Sequence, residues 1–194
     1  MDSAVRPAAR PRWPAGHETV AMTVAVVSGR DKHRHDLLMS PVGLILTPIG
    51  VVRGGRSNPD DDHWGGAETV IAIDPDAFTP DAVAGLDAFS HLEVVYSFHL
   101  ARAEDVTTGS RHPRGRADWP LVGIFAQRGK DRPNHLGISR CRLLRIDGLD
   151  LYVADLDAID GTPVLDVKPW MGEFGPRGEV RQPEWASELM AAYY

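Results

Sequence analysis

From residue 42 onward, apolar and polar positions alternate over short stretches separated by glycine, proline and aspartate. In His91 to His99, Leu92, Val94, Tyr96 and Phe98 share one face, the period of two that a strand imposes on its side chains. Comparable runs cover 42–53, 68–73, 121–126, 136–146 and 149–155. Asp147-Gly148, between the last two, is a strong hairpin signal, since a type I′ turn needs positive φ at both central positions. Helix signals are confined to a segment capped by Thr79, with Pro80 at its first position, running to about Ala88, and to one from about Pro183 onward. The pattern predicts a mainly β fold: a single β-barrel of short strands with few helices. Strands do not alternate with helices and no G-x-G-x-x-G follows the first of them, which excludes a Rossmann fold.

Residues 1–40 are rich in proline, alanine, arginine and histidine without sustained periodicity, and are expected to be a disordered N-terminal tail. Met39, directly before the first strand, is a candidate start. The barrel is expected over 41–172, followed over 173–194 by a C-terminal extension with a short helix. A chain of 194 residues has room for one such domain. The lone Cys141 cannot form an internal disulfide, and no apolar run reaches the roughly 18 residues of a membrane span. The expectation is a soluble, cytoplasmic protein without a membrane partner.

Charge changes this picture locally. The net charge of −6 argues against a polyanionic partner, yet Arg111, Arg114, Arg116, Arg128, Lys130, Arg132, Arg140, Arg142 and Arg145 face only Asp118 and Asp131 within one stretch. That belt is either a solvated outer face or a site for a polyanion or carboxylate. Against it stands the acidic loop Asp60-Asp61-Asp62-His63-Trp64-Gly65-Gly66, either a loop whose flat ring and glycines permit close approach of a ligand or a solvated acidic turn with a packing tryptophan. Ser97-Phe98-His99 offers a stacking ring and a hydrogen-bonding imidazole, or simply a core phenylalanine beside a surface histidine. Arg128 to His135 reads as a grip for a carboxylate or phosphate, or as a solvated basic loop. Asp155 to Trp170 places four carboxylates, Asp155, Asp157, Asp160 and Asp166, in an apolar setting where they need partners: a sulfonium, an amino group, a ribose diol, a metal, or a salt-bridge network with Lys168 and the arginines. Gly123 to Lys130 departs from phosphate-loop spacing, and no compact metal-ligand motif occurs, so no metal is expected. Cys141 sits mid-strand as an apolar filler.

Several stretches together resemble the TsaA-like, TrmO-type family: Pro48 to Arg53, Gly85 to Leu92, Phe98-His99, Arg111 to Gly115, Val122 to Ala126 with Arg128, Arg132-Pro133-Asn134, and Leu156 to Pro169. The resemblance implies a non-Rossmann β-barrel that binds S-adenosyl-L-methionine, commonly as a homodimer, and methylates N6 of threonylcarbamoyladenosine beside a tRNA anticodon. It implies that Phe98, His99, Arg128, Ile138, Asp155, Leu156, Asp157 and Ala158 line the cofactor, with Arg128 on its carboxylate and Asp157 or Asp160 on its amino or ribose groups. The loop residues His63, Trp64 and Gly65 join that set. Arg111, Arg114, Lys130, Arg132 and Asn134 are expected to face substrate, and Asp160, His99 and Asn134 are the catalytic candidates. Where family members carry a basic loop near the cofactor, this chain carries Asp60 to Asp62, which keeps two further readings open: methylation of a small molecule, and a noncatalytic cofactor or RNA sensor.

Overall fold

The computed structural model describes residues 45–194, so the expected N-terminal tail, residues 1–40, lies outside the described residues. Eight strands form there: β1 (Gly50–Arg53), β2 (Glu68–Ile73), β3 (His91–Ser97), β4 (Ser110–Arg111), β5 (Val122–Gly123), β6 (Leu136–Asp147), β7 (Asp150–Ala154) and β8 (Pro163–Pro169). Six close into an antiparallel barrel in the order β1-β2-β7-β6-β3-β8, with β8 returning to β1. The remaining two, β4 and β5, pair as a separate short ribbon.

The alternation read from the sequence is what closes the barrel. Along β3, Leu92, Val94 and Tyr96 are buried while His91, Glu93 and Val95 are only partly so. Val52, Ile71, Leu151, Val153, Cys141 and Val164 complete the interior from the other strands. Each fully buried aliphatic side chain contributes about 1.5–3 kcal/mol relative to exposure. Burial also pushes the Cys141 thiol up to about 12, which fits an apolar filler. The predicted hairpin forms, with Gly148 at φ 61° and Asp147 paired to Asp150.

Four expectations change. The strand read over 42–53 is short, Gly50–Arg53, since Pro48 has no N–H to give a ladder. The helix read from Thr79 to Ala88 is two 3₁₀ turns, Pro80–Val83 and Leu86–Ala88, interrupted at Gly85 with φ 78°. The strand read over 121–126 contracts to β5 and runs into a 3₁₀ turn at Ile124–Ala126. Finally, β8 arises inside the carboxylate-rich stretch: Asp166 stands on that strand opposite Val95 and pairs with Lys168, away from the other three acids. The C-terminal helix is present as α1 (Glu184–Met190).

Candidate functional site

At one rim of the barrel, the chain leaving β7 turns sharply and three carboxylates diverge. Asp155 takes a left-handed conformation, φ 67°, uncommon for a residue with a side chain. Its Oδ1 accepts the Gly66 amide at 2.7 Å and its Oδ2 the Arg142 guanidinium at 2.7 Å. Arg142, with Gly66 behind it, holds the Asp155 carboxyl below its ordinary 3.8. One contact thus fastens the glycines of the acidic loop to the outer face of β6.

Asp157 is the centre of the rim. The Tyr96 hydroxyl donates to its Oδ1 at 3.0 Å and to its carbonyl at 2.9 Å, and the Tyr193 hydroxyl donates to Oδ2 at 2.6 Å. Its own amide donates to Ser139 Oγ at 3.3 Å. Tyr96 can reach across because its partner on β6 is Gly137: a Cβ there would collide with the Tyr96 ring. Burial first, and the Asp157 charge second, drive the phenols of Tyr96 and Tyr193 well above the ordinary tyrosine range, so both remain donors. Phe98 meets Tyr96 edge to face at 5.3 Å. Arg128 comes from the loop before β6, donates to the Ile138 carbonyl at 2.7 Å, and lies near enough to act electrostatically on Tyr96 and Tyr193.

The third acid, Asp160, accepts the Gly54 amide at 2.7 Å and stabilises the turn after β1. It also acts on His99, whose ring lies near Gly161. Partial desolvation lowers the His99 pKa from its ordinary 6.5, with Asp160 opposing, which favours the neutral imidazole at pH 7.

Gly65, Phe98, Arg128, Ile138, Asp155 and Asp157 are therefore gathered at one rim, and His99 with Asp160 at its margin; Trp64, expected to line the cofactor, is instead buried, with the Arg56 guanidinium 4.3 Å over its ring. Leu156 and Ala158 turn into the core, leaving only their backbone to a ligand. His63 is left-handed, φ 62°, and exposed. Asn134, at φ 67°, is exposed in the turn before β6. The sequence reading missed Tyr96, Gly137, Ser139 and Tyr193; an inward-facing Tyr96 whose hydroxyl needs a partner was the available signal.

The opposition between acidic loop and basic belt dissolves. Arg114 clasps Asp62 at 2.7 and 2.8 Å and approaches Asp61 at 3.7 Å, while Arg56 pairs with Asp60 at 3.5 Å. The Arg114 hydrogen bonds hold the Asp62 carboxyl below its ordinary 3.8. Arg111 and Lys130 converge on Asp131 at 2.9 and 2.7 Å; burial raises that carboxyl, but the two cations outweigh it and the net direction is downward. Arg116 pairs with Asp118, Arg140 with Glu93, and Arg142 with Asp155. Arg128 and Arg132 instead donate to the backbone carbonyls of Ile138 and Gln127.

Two clefts compete as ligand sites. One, about 340 Å³, is lined by apolar residues including Ile49, Phe78, Val83, Leu86, Phe89 and Val167. The other, about 380 Å³, is bounded by His91, Arg140, Arg142, Asp155 and Tyr194, on the outer face of β3 and β6 next to the rim, with which it shares Asp155 and Arg142. Only the second has convergent charged groups, the mark of a site that orients a polar ligand. Among the described residues, no cluster of three or more His, Cys, Asp or Glu is placed to hold a metal, and no helix is long and apolar enough to cross a membrane.

Residues 59–175 match the family model of the tRNA-methyltransferase O N-terminal domain. The chain belongs to that family. Relatives of this tRNA-methyltransferase O N-terminal domain family include a probable S-adenosyl-L-methionine-binding protein of Methanothermobacter thermautotrophicus, 36% identical over 144 residues, spanning 72% of this chain and 99% of that one. The human tRNA (adenine(37)-N6)-methyltransferase is 30% identical over 150 residues, 76% of this chain and 33% of its own. In three dimensions the barrel is similar to the crystal structure of TrmO from Pseudomonas aeruginosa, with TM-score 0.57 and 28% identity, covering 70% of this chain and 60% of that one. The chain thus spans about a third of the human enzyme and three fifths of the solved structure. The family match covers the rim residues from Asp60 to Asp160 and leaves out Gly54, α1 and Tyr193.

Proposed function

We propose that this chain is an S-adenosyl-L-methionine-dependent methyltransferase that methylates N6 of threonylcarbamoyladenosine next to the tRNA anticodon. The observation that carries the reading is the gathering, in a barrel of the tRNA-methyltransferase O family, of Asp157, Arg128 and Phe98 about Tyr96. The donor set fits the cofactor: a carboxylate for an ammonium or ribose hydroxyls, a guanidinium for a carboxylate, and the Phe98 ring for adenine. Gly65 adds close approach, since a Cβ there would fall 2.7 Å from Tyr194.

When bound, the cofactor supplies an electrophilic methyl group on a sulfonium. The chain's contribution is position and charge. Asp157, and Asp155 beside it, would hold the cofactor's cationic end, and Arg128 would hold its carboxylate. Alignment of the two reactants in a dehydrated rim carries most of the acceleration. The accepting nitrogen must lose its proton as the new bond forms, and a neutral His99 imidazole at the margin of the rim is the base this reading assigns to it. The Asp160 charge stabilises the protonated form of His99. Arg132 and Asn134, on the turn before β6, face tRNA.

The small-molecule reading rested on three acids at the entrance, and each of them has an arginine partner. We place the protein in the cytoplasm as a homodimer; the exposed Leu121, Phe125 and Phe174 supply apolar surface that self-association would cover, and light scattering on the purified chain tests it. The catalytic reading is tested by comparing modified nucleosides in tRNA from strains with and without the gene. Loss of the methylated threonylcarbamoyl nucleoside is expected, and an unchanged profile overturns the tRNA reading.

A further inference from the structure

The groove assigned to the cofactor already holds part of this chain. After the exposed stretch 176–183, the seven residues of α1 lie beside the β4–β5 ribbon, where the Trp119 indole donates to Glu188 at 2.7 Å and the Trp119 and Trp185 rings stand 6.5 Å apart. The chain then runs along the acidic loop. The His63 and Trp64 amides donate to the Ala192 and Tyr193 carbonyls at 2.8 and 2.7 Å. Tyr193 reaches down to Asp157 Oδ2 at 2.6 Å, and Tyr194 covers Gly65 and borders the cleft with Arg142 and Asp155.

These are the groups that the cofactor reading needs. A phenol donating to Asp157 fills the acceptor that an ammonium or a ribose hydroxyl would take, and the backbone of Tyr194 fills the approach that Gly65 leaves open. One groove cannot hold both. The segment is also weakly fastened: α1 buries no residue, and a helix of its length is marginal without packing. It lies outside the residues matched by the family.

We infer that residues 184–194 form a self-docked strap that closes the cofactor groove, with the Tyr193 phenol on Asp157 as its latch, and that the strap leaves when the cofactor enters. The inference rests on the cofactor reading above. Occupancy by the strap lowers apparent cofactor affinity by the fraction of molecules that are open. The strap thereby sets the cofactor concentration at which the enzyme becomes active.

The test titrates S-adenosyl-L-methionine by calorimetry into the full chain, a chain lacking 184–194, and Tyr193→Phe, which keeps the ring and loses only the donor. Truncation should tighten binding about tenfold, and Tyr193→Phe by about threefold, the scale of one lost hydrogen bond. A 3-fluorotyrosine at 193 in the full chain should shift towards its position in a free peptide as cofactor saturates. Equal affinities with an unmoved fluorine signal overturn the strap while leaving the cofactor reading intact. Weaker binding after both changes makes the segment a wall of the site and overturns it too. No binding by any of the three proteins removes the cofactor reading itself, and the strap with it.

Discussion

The wall of the barrel and its rim are built from the same kinds of segment but held by different physics. In the wall, each strand is fixed by neighbours on its ladder and by alternate side chains that leave water; Leu92, Val94 and Val164 are fully buried. At the rim, the decisive contacts join residues far apart in sequence: Gly54 to Asp160, Gly66 to Asp155, Tyr96 to Asp157. Four of the candidate residues there or beside it, His63, Arg114, Asn134 and Asp155, are held in left-handed backbone. Such strain persists only where surrounding contacts impose it, and it gathers where a ligand has to be met. The wall is therefore where stability resides, and the rim is where stability is yielded for chemistry.

The largest effect expected from this contrast belongs to the wall. Leu92→Ala should destabilise the fold by about 2–5 kcal/mol, read by denaturant unfolding, because the cavity it leaves has little room to collapse. Cofactor affinity of the molecules that remain folded should hardly change. If affinity fell in step with stability, wall and rim would be a single unit and the contrast would fail.

Gly137→Ala probes the seam between the two regions. The added methyl displaces the Tyr96 ring from its path to Asp157, so both readouts should move: about 1–3 kcal/mol of stability from overpacking, together with a loss of cofactor binding. Stability without loss of binding would mean that Tyr96 does not position Asp157.

Arg128→Ala should act on the rim alone. Loss of a charge-assisted contact weakens cofactor binding by about tenfold or more, measured by calorimetry, while melting temperature stays within about 2 °C. Unchanged affinity would remove Arg128 from the site.

The smallest effect concerns pH. Arg114 lowers the pKa of Asp62 in the folded state, so the stability this pair contributes is fully present above the ordinary carboxylate pKa and is lost as pH falls through the lowered value. Asp62→Asn should lower the melting temperature slightly at pH 7 and flatten its decline below about pH 4. An acid limb as steep as that of the parent chain would show that the clasp contributes nothing.

The same contrast explains what could be read from the sequence. Strand β3 and the β6–β7 hairpin at Gly148 were legible because alternation and turn chemistry are local. The 3₁₀ turns at Pro80–Val83 and Leu86–Ala88 were not, because Thr79 and Pro80 signal a helix start while Gly85 interrupts the segment. Asp166 looked like one more member of an acidic cluster until β8 carried it onto the outer wall with Lys168. The basic belt was less legible for a related reason. Counting charges along the chain cannot show that Arg114 answers Asp62 or that Arg142 answers Asp155. Asp157 and Arg128 were named from the sequence, whereas Tyr193 carried no local signal that it would close on Asp157.

The central claim is that the polar rim, and not the apolar cleft, holds the cofactor. Amide hydrogen exchange with and without saturating S-adenosyl-L-methionine tests it most directly, because both clefts are read in one experiment. Altered exchange is expected at 63–66, 91, 97–99, 128–142 and 155–161, with the strap at 184–194 losing protection. Altered exchange concentrated at 78–89, around the apolar cleft, with the rim unchanged, would contradict it.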